Sequence, residues 1–167
     1  MIGLLLMLVA AAAQSVWPEP GQVISSFDKA ADFSSVRTFA WERGLDVADK
    51  DAHKLLVATI EGELVARGMH AAADRESADV IVRYDAVGTG TVDLDKLQQQ
   101  IKANPDAVPP TKVMGSLVVS THRNRSPDIM WRGHLRDLVD LDPRVRQATV
   151  KSIVSRVFAT YPLKPKA

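Results

Sequence analysis

The feature that most constrains this chain is a pair of alternating runs, residues 114–123 and 129–135, joined by Arg125-Ser126-Pro127. In an extended chain successive side chains point to opposite faces. Leu117, Val119 and Thr121 therefore share one side of the first run. In the second run Ile129, Trp131, Gly133 and Leu135 share one side, and Met130, Arg132, His134 and Arg136 share the other. Setting Asn124 against Asp128 places Leu117 opposite Leu135, Val119 opposite Gly133 and Thr121 opposite Trp131. A slip of one residue would split the two apolar faces, so the pattern selects one register. Gly133 makes room there for a large neighbour such as Trp131.

The remaining elements follow from the same periodicities. Val23, Ser25 and Phe27 alternate weakly, and Val36, Thr38, Phe39 and Trp41 read as a strand, with residues 28–34 as a turn region between them. Residues 51–67 read as a helix with Leu56, Val57, Ile60 and Leu64 on one face. Asp49 or Asp51 caps its start, Arg67 complements its C-terminal dipole, and Gly68 takes the left-handed position beyond it. Gly62, at a cost of about 1 kcal/mol mid-helix, reads as a site of close packing on a sheet. Residues 78–92 read as a long strand with Val80, Val82 and Tyr84 on one side and Gly88 and Gly90 weakening its far half. Residues 93–112 read as an insertion, with Leu94, Leu97 and Ile101 striping a short helix that Asn104-Pro105 stops. Asp142-Pro143 opens a last helix whose Val150, Ile153, Val154 and Val157 form one stripe, ended by Pro162. The expected fold class is α+β: one mainly antiparallel sheet of about five strands with two helices packed on one face, plus the short helical insertion. A single domain over residues 22–163 is expected, with a loose tail at 164–167.

Composition sets the outer bounds. A chain of 167 residues suits one domain. Hydrophobic residues at 46% and charged residues at 25% exclude wholesale disorder, and a net charge of +1 argues against nucleic acid as a partner. The chain has no cysteine, which excludes disulfides, thiolate metal sites, cysteine nucleophiles and lipid carried on cysteine. Residues 2–13 are apolar, and no charged side chain precedes Glu19. As a helix that run rises only ~18 Å, short of the ~30 Å hydrocarbon core. Ala11 and Ala13 fit the small-x-small cleavage pattern, although only the terminal amine supplies positive charge ahead of the run. The expectation is a signal peptide at 1–13, an extended tether at 14–21 through Trp17-Pro18-Glu19-Pro20-Gly21, and export to the periplasm or cell envelope. Membrane association is expected only through this segment left uncleaved.

Few residues in the chain are spaced for chemistry. His122 and His134 share a face but stand roughly 13 Å apart at ~3.3 Å per residue, and His53 and His70 flank opposite ends of the first helix, so no metal site is expected. Asp137, Asp140 and Asp142 lack the glycine turn of a calcium loop and read as a strand end leading to a helix N-cap, with the acids complementing the dipole. Ser120-Thr121-His122 lies outside any G-x-S-x-G elbow, and Gly88-Thr89-Gly90 lacks the spacing of a phosphate loop. No catalytic, cofactor or metal residues are expected. Arg123, Arg125, Arg132 and Arg136 with Arg83 form the most suggestive set. Of these, Arg83, Arg132 and Arg136, with His134 between the last two, are the candidate docking surface. The competing reading is a solvated face whose arginines pair with nearby aspartates for about 0–1 kcal/mol each. The expected function is a non-catalytic interaction domain for an envelope protein, lipid or glycan. The alternatives are a small periplasmic enzyme, or a small-molecule carrier with a cleft between helices and sheet.

The segment Asp32-Phe33-Ser34-Ser35-Val36-Arg37-Thr38-Phe39-Ala40-Trp41 resembles the opening signature of a bacterial envelope family known as domain of unknown function 4136. Leu64-Val65-Ala66-Arg67-Gly68-Met69, Ala78-Asp79-Val80-Ile81-Val82-Arg83-Tyr84, Gly115-Ser116-Leu117-Val118-Val119, Met130-Trp131-Arg132-Gly133 and a helix ending in Tyr161-Pro162 follow in order. The resemblance spans roughly residues 22–162. It implies an exported α+β domain, often tethered as a lipoprotein. The lipid anchor does not carry over, because no cysteine is available to acylate. The family has no agreed activity, so the resemblance transfers no catalytic residue.

Overall fold

A computed structural model describes residues 18–42, 50–89, 103, 112–140 and 143–165. The elements are β1 (Val23–Phe27), a single 3₁₀ turn (Phe33–Ser35), β2 (Thr38–Trp41), α1 (Lys50–Ala66), β3 (His70–Ala71), β4 (Val80–Thr89), β5 (Lys112–Arg123), β6 (Ile129–Asp140) and α2 (Pro143–Phe158). The expected helix of the 93–112 insertion lies outside the described residues.

The hairpin register is the one the alternation selects: Leu117 pairs with Leu135, Val119 with Gly133 and Thr121 with Trp131. The turn is made with Arg125 at φ 60°. A bulge between Thr121 and His122 then sets His122 opposite Ile129. A strict ladder predicts Met130 there; the extra residue on β6 is taken up beside the turn.

The sheet corrects the expected topology. It has six strands in the order β1-β6-β5-β4-β2-β3 and is mixed rather than mainly antiparallel with five. β2 runs parallel to both β3 and β4. The physical reason is α1: a helical crossover returns the chain in the direction it left, whereas only a tight turn reverses it. Asp79 holds the parallel junction, its Oδ2 accepting the amides of Arg37 and Thr38 at 2.8 Å each. β3 is two residues long, too short to carry any periodic signal.

The core lies between one sheet face and the two helices. Val80, Val82, Tyr84, Leu117, Val119, Trp131 and Leu135 point into it from the strands. Ile60 and Leu64 of α1 and Val150, Ile153, Val154 and Val157 of α2 meet them, as their stripes predict. A Cβ on Gly133 would lie 2.6 Å from Trp131 Cζ2 and 2.7 Å from Val157 Cγ1, so the indole and α2 occupy the room that glycine leaves. Gly62 is different from expectation: nothing lies within 4 Å of a Cβ built there, and it faces outward rather than onto the sheet.

Arg67 fills its expected role at the end of α1 and extends it. It is 5% exposed and closes the C-terminal ends of both helices. Its Nη1 donates to Glu63 O at 2.7 Å and to Glu63 Oε2 at 2.6 Å, its Nη2 to Phe158 O at 2.8 Å, and its Nε to Leu163 O at 3.0 Å. The last carbonyls of a helix lack intrahelical donors and carry the negative end of its dipole. One guanidinium here serves both ends while lying 5.2 Å from the centre of the Phe158 ring.

Candidate functional site: the sheet face opposite the helices

The period of two that sends Trp131 and Leu135 into the core sends Arg132, His134 and Arg136 to the other side of β6. The register brings Ser120 beside Arg132, Val118 beside His134 and Ser116 beside Arg136. On β4, Arg83 sits beside Ser120 and Asp85 beside Val118. On the outer side, β1 places Ser26 beside Arg132 and Ile24 beside His134. All four residues predicted to form the surface therefore share one face, with Arg132 and Arg83 flanking Ser120.

Their electrostatics differ. Arg83 is neutralised: it grips Asp85 with Nε and Nη2 at 3.1 Å each and reaches Glu42 at 3.6 Å. The hydrogen bonds it donates to Asp85 and the two negative charges raise its pKa above the ordinary arginine value. For Arg83 the ion-paired alternative is the one the structure shows. Arg132 is exposed and makes no ion pair among the described residues. Arg136 makes none either, and its Nε is buried without a hydrogen-bond partner among them. His134 lies between these two cations. Burial and the Arg132 charge both hold its imidazole below the usual value, so it is neutral at pH 7.

Two serine–histidine pairs complete the face. Ser116 Oγ lies 2.8 Å from His134 Nε2, and Ser120 Oγ lies 3.0 Å from His122 Nε2. The i, i+2 spacing of Ser120 and His122 places them on one side of a strand, a signal the sequence holds in plain view. Both serines are buried residues, and each hydroxyl is within hydrogen-bond reach of its imidazole. Nucleophilic catalysis needs an exposed hydroxyl and a base oriented by a third group. Among the described residues neither serine meets the first condition, and no three histidine, aspartate or glutamate side chains gather as a metal site would require.

The other candidates disperse. Arg123 ends β5, and Arg125 reaches from the turn to Glu76 O at 3.5 Å, so neither joins the face. Asp137 turns to the helix side, where Arg156 Nη1 donates to it at 2.5 Å; it serves the end of α2, not its start as expected. His53 Nδ1 lies 2.5 Å from the Tyr84 hydroxyl and stacks on that ring. A groove of about 850 Å³ runs between α1 and α2, floored by Ala58, Gly62, Ala66 and Ala159. It lies between the helices rather than between helices and sheet, where a carrier's cleft was expected. No helix among the described residues is long and apolar enough to cross a membrane.

These features define an α+β two-layer domain, with helices on one side of a mixed sheet and a cationic, serine-lined surface on the other. The chain belongs to the family described as Domain of unknown function (DUF4136), whose model matches residues 23–163. Solved structures share the fold. A DUF4136 family protein from Bacteroides thetaiotaomicron is 16% identical with a TM-score of 0.58, over 84% of this chain and 95% of that one. A PDZ domain protein from Parabacteroides distasonis is 12% identical with a TM-score of 0.59, over 86% of this chain but only 36% of that one. The PelC dodecamer from Paraburkholderia phytofirmans is 10% identical with a TM-score of 0.55, over 87% of this chain and 99% of that one. No curated protein matches the chain.

Proposed function

We propose that this is an exported cell-envelope domain that acts by binding, and that its sheet face docks on the phosphate groups of anionic lipid. The observation that carries the proposal is the pair Arg132 and Arg136, two guanidiniums on one face of the sheet with no carboxylate partner among the described residues. Arginine presents a planar fork that matches phosphate. Four residues of strand set the two about 13 Å apart at ~3.3 Å per residue, a spacing that suits a planar array of headgroups better than one small molecule. The neutral His134 between them adds no charge but covers Ser116. The apolar run at 2–13, with Ala11 and Ala13 at its end, supports export. The dodecameric state of one structural neighbour supports a surface used in several copies, since linked weak sites bind by avidity.

The test is co-sedimentation with vesicles of neutral lipid or of neutral lipid plus phosphatidylglycerol. Each arginine near an anionic surface contributes about 1 kcal/mol, so Arg132→Gln with Arg136→Gln should weaken binding roughly 30-fold while leaving circular dichroism unchanged. Raising salt should weaken the wild type in the same direction. Equal binding by wild type and double variant would overturn the proposal. Binding of a phosphorylated glycan without binding of vesicles would overturn its choice of lipid.

A further inference from the structure

The outer edge of β1 carries an inference independent of the arginines. Among the described residues β1 is the end strand of the sheet, and β6 is its one neighbour there. Asp28 N donates to Met130 O, and antiparallel pairs alternate along a strand. The backbone groups of Ile24 and Ser26 therefore face β6, and those of Val23, Ser25 and Phe27 face outward. Edge strands are normally guarded by charge, proline, a bulge or a covering element. The run Val-Ile-Ser-Ser-Phe has no charge and no proline, and pairs with β6 without interruption. The other edge is blunted by its length, since β3 has two residues. Phe27 is 50% exposed beside this open edge.

We propose that β1 pairs antiparallel with β1 of a second copy of this chain, about a two-fold axis at Ser25. The strand is self-complementary in that register. Val23 of one copy faces Phe27 of the other, and Ser25 faces Ser25, so every outward amide meets an outward carbonyl and the exposed ring gains an apolar neighbour. A shift of one residue would set outward groups against groups already bonded to β6. Charge agrees with the choice. Glu19 precedes the strand and Lys29 follows it; both are exposed, and neither is ion-paired among the described residues. Antiparallel pairing draws the Lys29 end of each copy toward the Glu19 end of the other. Because Ser25 meets its counterpart on the same face, the axis stands perpendicular to the sheet. Both copies then turn Arg132 and Arg136 to the same side, with β6 strands three spacings apart, about 14 Å. The contact is small, at the low end of specific interfaces below about 1,200 Å², so the dimer is a weak one, with a dissociation constant on the order of micromolar.

The experiment uses the full chain and its lack of native cysteine. Across the axis the two Ser25 Cα atoms lie about 5.5 Å apart, inside the range a disulfide spans, whereas the two Ser26 Cα atoms exceed ~7 Å. Ser25→Cys should form a covalent dimer on mild oxidation, and Ser26→Cys, one residue away and equally exposed, should not. In sedimentation equilibrium the wild type should dimerise with rising concentration. Ser25→Lys, which opposes two ammonium groups on the axis, should weaken that at least tenfold with unchanged circular dichroism. Equal crosslinking by the two cysteine variants, a monomer at all concentrations, or an assembly indifferent to Ser25→Lys would overturn the proposal. A Ser25-dependent dimer that ignores anionic vesicles would leave the dimer standing and remove the lipid reading.

Discussion

Replacing Arg67 should be the most damaging single change at a polar residue of this domain. The side chain is 5% exposed and donates four hydrogen bonds, three of them to carbonyls at Glu63, Phe158 and Leu163. Arg67→Ala strips the donor from the C-terminal carbonyls of both helices and leaves the Glu63 carboxylate, 20% exposed, without its cation. Breaking a buried pair by removing one partner costs about 3–5 kcal/mol. Hydrogen bonds to a charged group contribute about 1.5–3 kcal/mol each but do not add fully within one network. A loss of about 4 kcal/mol is the consistent figure, equivalent to a fall of roughly 10 °C in Tm for a domain of this size. Arg67→Lys keeps the charge but cannot reach three directions at once, and should lose about 2 kcal/mol. Glu63→Gln removes one partner and leaves the carbonyl bonds, so about 1 kcal/mol is expected. Urea denaturation followed by circular dichroism gives all three values. A loss below about 1 kcal/mol for Arg67→Ala, or equal losses for Ala and Lys, would refute the idea that one guanidinium joins two helix ends.

Two glycines should respond oppositely to alanine. Gly133→Ala forces a methyl group to 2.6 Å from the Trp131 ring and should cost about 1–3 kcal/mol of overpacking in urea melts, whereas Gly62→Ala meets nothing and should gain up to about 1 kcal/mol of helix propensity. Protonation should weaken the fold at the acid side through His134. Its folded pKa is lowered, so the unfolded chain takes up the proton more readily; its contribution is present above pH ~6.5 and is lost as pH falls through the folded value. His134→Gln should flatten the fall of stability on the acid side of pH ~6.5, and an unchanged slope there would count against the burial assigned to the ring. At the alkaline side, burial pushes Tyr161 up to about 12. Its contribution is complete below pH ~10 and disappears as pH rises toward that value, which Tyr161→Phe should abolish in alkaline unfolding followed by fluorescence.

The sequence makes some of this legible for identifiable reasons. Alternation in β5 and β6 specifies both the register and the arginine face, because one slip would expose Leu117 and Leu135 together. The stripes of α1 and α2 likewise mark Ile60, Leu64, Val154 and Val157 as core. What periodicity does not carry is partner choice between strands. β2 could pair on either side and in either direction as far as its four residues show, and the decision rests on the crossover through α1 and on the Asp79 bonds to Arg37 and Thr38. Arg67 follows the same rule: a basic residue in the last turn of a helix reads as a dipole partner, and only the approach of Phe158 and Leu163, 91 and 96 residues away, reveals the clamp. At the site, the shared face of Arg83, Arg132, His134 and Arg136 follows from counting residues. The neutralisation of Arg83 by Asp85 and Glu42 depends on rotamers and on the neighbouring strand β2, which counting does not supply.

Lipid docking through the arginine face requires that side of the sheet, and not the helix side, to meet an anionic surface. Amide chemical shifts of the isotope-labelled chain, followed while phosphatidylglycerol micelles are added, read that side directly. The expected shifts fall on Ser116, Ser120, Arg132, His134 and Arg136 and leave Ala58, Gly62 and Ala159 of the helix groove in place. Shifts confined to the helix groove, or none at low salt, would contradict it.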